Sequence, residues 1–108
     1  MRMWMVDPKL MCKQHLVGEH GEIHKHRHNF VKGHSIAGRR GQIEPTAMQK
    51  RHDELAAFLC NHKSPYKQPD LSGYNLDGFV VDVQESLAEL SRRCSKCRVL
   101  IEGRRLNG

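Results

Sequence analysis

No apolar stretch of this chain approaches the roughly 18 residues that a membrane-crossing helix needs, and only 38% of its 108 residues are apolar. A membrane partner is therefore not expected. The segment from Met1 to Asp7 lacks the basic start and long apolar run of an export signal. The expected location is the cytoplasm, where four cysteines are reduced thiols rather than a disulfide framework. Acidic residues are also scarce, 12 Asp and Glu against 18 Lys and Arg, giving a net charge of +6 and a pI near 9.4. The basic excess is spread over Arg2, Lys25, Arg27, Arg39, Arg40, Lys50, Arg51, Arg92, Arg93, Arg104 and Arg105. Distributed positive charge favours a polyanion such as nucleic acid.

The length gives one domain over residues 1–108 with a modest core. Asp7 as a cap and Pro8 at the first helical position open a helix expected to run to about Lys32, where Gly33 stops it. Leu16, Ile23 and Phe30 recur every seven residues and form its buried face. Gly18 and Gly21 inside that helix each cost about 1 kcal/mol relative to alanine, which points to close packing there or to a simple kink. Residues 34–44 read as a basic, glycine-containing loop carrying Arg39 and Arg40. Pro45 opens a second helix to about Asn61, with Met48, Leu55, Phe58 and Leu59 facing inward. Asp82 and Glu85 form a capping-box pattern for a third helix over about 83–94, carried inward by Leu87 and Leu90. The last basic segment adds Val99 to Ile101 to the core, and GFVVDV could be a short extended piece. The expected fold is all-α: three main helices in one compact domain, with an N-terminal arm packed along helix one.

Two features carry chemistry. The first is the chain's start. Arg2 is large, so Met1 is expected to escape trimming and to keep a free amine, whose unperturbed pKa is about 7.7–8.0. Such an amine is partly uncharged near neutrality and can attack a sugar carbon to form a Schiff base. Fourteen helical steps from Pro8 to Glu22 span roughly 21 Å, and a seven-residue arm reaches at most about 23–25 Å. An arm folded back along helix one can therefore bring Met1 to Glu22, a general acid and base for base release and removal of the 2′ proton. Glu22 shares its face with His15, Gly18, Glu19, Lys25 and Asn29.

The segment QHLVGEHGEI at Gln14 to Ile23 resembles the QHL-x-x-E-x-x-E-L motif of the phage-type pyrimidine-dimer DNA glycosylases, the ultraviolet-repair endonuclease V kind. KRHDELAAFL at Lys50 to Leu59 is similar to that family's second-helix KR-x-x-EL, and the order of arm, long helix, basic loop and two further helices agrees. The opening MRMWMVDPKLMCKQHL looks like a shorter bacterial and phage branch of the same group. The resemblance implies an all-α glycosylase and abasic-site lyase with Met1 as nucleophile and Glu22 as catalytic carboxylate. It implies double-stranded damaged DNA as partner, no cofactor, and a monomer in a bacterial or phage-infected cell. Arg2 and His15 match positions near the damaged site, and Lys25 stands where the family has arginine. With Arg27, Arg39, Arg40 and Lys50 these residues are expected to hold DNA, chiefly through phosphates. Gly21 replaces a further arginine and the aromatic-rich tail of longer members is missing, so the lesion is a pyrimidine dimer or a related one. Few aromatics could fill a vacated stack; Trp4 and Tyr66 are candidates, with Trp4 better suited to the core.

Two other readings compete: a non-catalytic basic DNA-binding module, and a metal-dependent nuclease using the helix-one histidines. His20, His24 and His28 fall four apart on one stripe, a spacing that can hold a metal. No recognised ligand set completes it, so no metal is assigned and the stripe is expected to face solvent or phosphate. Cys94 and Cys97 form a lone C-x-x-C. They could join Cys12 and Cys60 in a four-thiolate zinc site or act as a redox pair. The favoured expectation is plainer: Cys12 and Cys60 are small core residues and the pair ends helix three.

Overall fold

A computed structural model of the chain describes residues 2–60 and 65–107, without the side chains of residues 104–107. Four α-helices dominate it: α1 Lys13–Val31, α2 Met48–Phe58, α3 Val83–Arg93 and α4 Ser95–Asn107. Among the described residues there is no strand and no helix long and apolar enough to cross a membrane. The all-α expectation holds, with one helix more than foreseen.

Asp7 and Pro8 do start a helical segment, but only a 3-10 turn over Pro8–Leu10, with Asp7 accepting from the Lys9 N–H at 3.0 Å. Met11 and Cys12 then take extended backbone, so α1 begins at Lys13 rather than Pro8. Its end is as expected. Gly33 adopts φ +72°, and the N–H groups of Gly33 and His34 return to the carbonyls of Phe30 and Asn29, closing the helix in a Schellman pattern. Leu16, Ile23 and Phe30 are buried on the inner face. Glu19, Glu22 and His26 are buried as well. Close packing does not explain the two glycines of α1, since a Cβ at Gly18 or Gly21 would meet nothing within 4 Å.

Met48 and Leu55 of α2 enter the core, whereas Phe58 is 48% exposed, a correction to its expected inward face. The helix also stops short of Asn61, which lies outside the described residues; Cys60 turns left-handed at φ 55° just after it. Asp82 caps α3 by accepting from the N–H groups of Gln84 and Glu85. Leu90 is buried and Leu87 half-buried. The last segment is the helix α4, folded back on α3, and only part of its apolar run turns inward: Ile101 is buried while Val99 and Leu100 are exposed. GFVVDV is an irregular extended stretch in which Phe79 and Val81 are buried and Val80 faces solvent.

The N-terminal arm runs back along α1, as its length allows. Met3 donates its N–H to the Gln42 carbonyl at 2.8 Å, and Met3, Trp4 and Val6 are buried. Met5 is left-handed at φ 56° and directs its N–H to Glu19 Oε2 at 3.5 Å. Glu19 is the point where arm and helices meet. Its two carboxylate oxygens accept from Arg51 Nε at 2.7 Å and Nη2 at 2.8 Å, with both side chains almost wholly buried. The same guanidinium also donates to Glu54 and approaches Met11 Sδ. Burial works against the Arg51 charge, but Glu19 and Glu54 outweigh it and hold the group protonated above its ordinary range.

Replacing one partner of such a pair strands the other charge in the core. Arg51→Met is expected to lower unfolding stability by about 3–5 kcal/mol, and a Glu19→Met/Arg51→Met double variant to recover part of that loss. Urea unfolding measures both. A single-variant loss below about 1 kcal/mol, typical of exposed pairs, would deny the pair this role.

Candidate active site

Glu22 sits one turn after Glu19 on α1 and is 7% exposed. Two clefts open onto it. One, of about 370 Å³, is lined by Arg2, Trp4, Gln14, His15, Gly18 and Arg93 together with the two glutamates. The other, of about 420 Å³, is lined by Lys25, His26, His28, Asn29 and Arg39 beside Glu22. Both fall within the roughly 300–1,000 Å³ of small-ligand clefts. Gly18 gives the first cleft a wall without a side chain.

Arg2 stands over the Trp4 ring at 5.1 Å and donates from Nη2 to Ser86 Oγ at 2.9 Å. Its buried Nε has no hydrogen-bond partner among the described residues. Lys25 Nζ lies 3.8 Å from Glu22 Oε1 and is otherwise largely exposed, a cation poised at the cleft mouth. Arg39 comes from the loop after α1, where the 3-10 turn Ala37–Arg39 sets it opposite the helix. Met1, the expected nucleophile, lies outside the described residues.

The expected DNA contacts divide accordingly. Arg2, His15, Lys25 and Arg39 gather around Glu22. Arg27 instead donates from Nε to the Lys67 carbonyl at 2.6 Å, and Arg40 packs over the Phe79 ring at 5.6 Å. Lys50 is exposed beside a separate hollow lined by Met5, Glu44 and Arg51. His15 lines the cleft but turns Nδ1 to Cys12 Sγ at 3.2 Å and Cys97 Sγ at 3.6 Å. Arg93 and His26 were not singled out by the sequence. The Arg92-Arg93 pair was visible only as charge, and nothing in the spacing showed α3 returning to the start of α1.

The histidine stripe does not act as a unit. His20 and His24 turn to His52 of α2, with ring centroids 4.7 and 4.9 Å away, and Tyr66 stacks on His52 at 4.9 Å. His28 pairs with His34 at 6.2 Å. Burial, then the neighbouring His52, lowers the pKa values of His20 and His24. Burial likewise pushes the Tyr66 hydroxyl up to about 12.

The chain is thus a small all-helical protein with a buried carboxylate set among cations. It belongs to the pyrimidine dimer DNA glycosylase family, whose profile matches residues 1–68, from the arm through α1, the basic loop and α2. Membership sets it among DNA-repair glycosylases, enzymes whose substrate is DNA. No individual curated protein and no solved structure shows significant similarity to it.

His26 supplies a pH dependence. It is fully buried, neither ring nitrogen has a partner among the described residues, and burial, then Arg39 and Lys25, push its pKa down to about 4. The unfolded chain takes up this proton near pH 6.5. Below that value the unfolded state binds more protons, so stability is complete above about 6.5 and is lost as pH falls toward 4. The separation corresponds to about 3 kcal/mol. Urea unfolding between pH 7.5 and 4 is expected to record that decline, reduced in His26→Leu. A His26 titration by NMR near pH 6.5 in the folded protein would contradict it.

Proposed function

We propose that the chain is a glycosylase and abasic-site lyase whose nucleophile is the Met1 amine and whose acid and base is Glu22. The amine lone pair attacks C1′ of the damaged nucleotide while the glycosidic bond breaks and the leaving base takes a proton from Glu22. The nitrogen gives up one proton, its lone pair then opens the sugar ring as the C1′–O4′ bond breaks and O4′ takes a proton to become a hydroxyl, and a protonated imine is left. The Glu22 carboxylate then removes a 2′ proton, and elimination expels the 3′ phosphate and cuts the strand. The observation that carries this reading is Glu22, buried yet open to two clefts, one of them shared with Arg2, the residue next to Met1 in sequence. Family membership supports the substrate class.

In this reading Arg2, Lys25 and Arg39 grip phosphates next to the reacting sugar, with Arg93 added to them. Arg27, Arg40, Lys50 and His15 extend or shape the contact surface, and the target nucleotide or its partner leaves the stack. The orphaned Nε of Arg2 offers a donor to an anion. The substrate is duplex DNA carrying a pyrimidine dimer, a related lesion or an abasic site. The convergence of His20, His24 and His52 favours a metal-dependent nuclease as the second reading.

Borohydride reduction on duplexes carrying a thymine dimer or an abasic site is expected to trap a covalent adduct, abolished by blocking the N-terminal amine. Glu22→Gln is expected to slow strand cleavage by on the order of 10²-fold or more with DNA binding retained. An adduct that persists with a blocked terminus would unseat Met1. Cleavage without an adduct, lost in His24→Gln, would favour the nuclease, and binding without cleavage would leave only a DNA-binding module.

A further inference from the structure

Away from the catalytic acid, three segments bring four metal-binding side chains together. Cys12 is the residue immediately before α1, and His15 lies in that helix's first turn. Cys94 closes α3, and Cys97 lies in the first turn of α4. Their donor atoms all lie within 4.8 Å of one another. Cys60, the fourth thiol of the expected zinc set, is exposed beyond α2 and stands outside the group, and His15 takes that place. From these residues we infer a structural zinc site, with three thiolates and one imidazole as ligands.

Distances support a tetrahedron. With Zn–S of about 2.3 Å and Zn–N of about 2.0–2.1 Å, its S–S edges are about 3.8 Å and its N–S edges about 3.6 Å. The observed edges are 3.9 Å between Cys12 Sγ and Cys94 Sγ, and 3.2 and 3.6 Å from His15 Nδ1 to Cys12 and Cys97. A disulfide has sulfurs about 2.05 Å apart and no use for the imidazole. Soft thiolates with one imidazole, in tetrahedral array, select zinc over hard cations.

Local backbone structure prepares the sulfurs. The pairs Cys12-x-x-His15 and Cys94-x-x-Cys97 each straddle a helix start, with the two-residue spacing common in zinc ligand pairs. The Cys97 N–H approaches Cys94 Sγ at 3.4 Å and the Cys12 N–H approaches Cys97 Sγ at 3.3 Å, outer contacts that orient ligands and spread their charge. Zinc entering the site displaces the thiol protons to solvent.

The site clamps the α3–α4 hairpin, which lies beyond the matched residues 1–68, to the start of α1. Arg93 precedes Cys94 directly, and His15 lines the Glu22 cleft, so the clamp fixes one wall of that cleft. Zinc binding itself does not depend on the proposed chemistry.

The test uses the full chain, tag-free and fully reduced. Elemental analysis is expected to find one zinc per chain, with an X-ray absorption shell of three sulfurs and one nitrogen. Cobalt(II) titration of the stripped protein is expected to give a thiolate charge-transfer band that saturates at one equivalent and is displaced by zinc. Stripping is expected to lower Tm by about 10 °C or more. Cys94→Ser abolishes the band, whereas Cys60→Ser and His24→Gln retain it. Absence of zinc and of the band in wild-type protein with all thiols reduced would overturn the assignment. So would a metal shell of nitrogen and oxygen only, or a disulfide among Cys12, Cys94 and Cys97 in the native protein.

Discussion

The buried contact between Glu19 and Arg51 is the constraint on which the rest of the molecule turns. Two charges removed from water cost several kcal/mol each, offset only when geometry is close and the remaining donors are used. Here the guanidinium meets the carboxylate with two parallel bonds, and its other contacts are Glu54 and Met11. Arginine suits this place because its planar fork fits a carboxylate, which a lysine point charge does not. The pair fixes the register of α2 against α1. Met5 joins it from the arm, so the arm's path is set by the same carboxylate that locks the two helices.

One helical turn separates a structural acid from a candidate catalytic one. Glu19 is enclosed by the arm and α2 and neutralised there. Glu22 clears α2, and the cations around it, Arg2, Lys25, Arg39 and Arg93, belong to four different segments and line its clefts without enclosing it. His26, a turn further along, is held neutral by burial and adds no competing charge beside Glu22 at physiological pH. The helix therefore presents, in order, a locked carboxylate, an accessible carboxylate and a silent imidazole. Such an arrangement concentrates positive potential around Glu22, which suits the DNA-binding and proton-transfer roles proposed for this site.

Much of this was legible because it rests on local rules. The seven-residue spacing of Leu16, Ile23 and Phe30 located the inner face of α1, and Gly33 located its end. That the arm folds back along α1 was expected from its length, although the reckoning used a helix starting at Pro8, and its end point, Met1, lies outside the described residues. What escaped was decided by tertiary partners. The start of α1 slipped from Pro8 to Lys13 because Met11 and Cys12 take extended backbone that caps and composition do not encode. Phe58, Val99 and Leu100 looked inward by composition, yet among the described residues they are exposed. The stripe of His20, His24 and His28 was a correct count of helical spacing but an incomplete site, because its third imidazole is His52, thirty-odd positions away on α2. Half of what α1 buries was not read as core for a related reason: three of its six buried residues are Glu19, Glu22 and His26.

The hairpin α3–α4 lies outside the family match, yet it contributes a residue to the cleft beside Glu22. Ser86 anchors Arg2 and Arg93 walls the cleft, both from α3, while the matched residues end at 68. Among the described residues the hairpin buries Leu90, Cys97 and Ile101 and exposes Val83, Val99 and Leu100. In the proposed reaction, its placement to within an ångström or so would matter for the Arg93 guanidinium beside the sugar. Cys94 and Cys97 occupy the corner of the hairpin, the point from which a single linkage to the start of α1 restrains both helices at once. With the proposed zinc in place, that linkage would tie the hairpin to Cys12 and His15, at the root of the helix that carries Glu22.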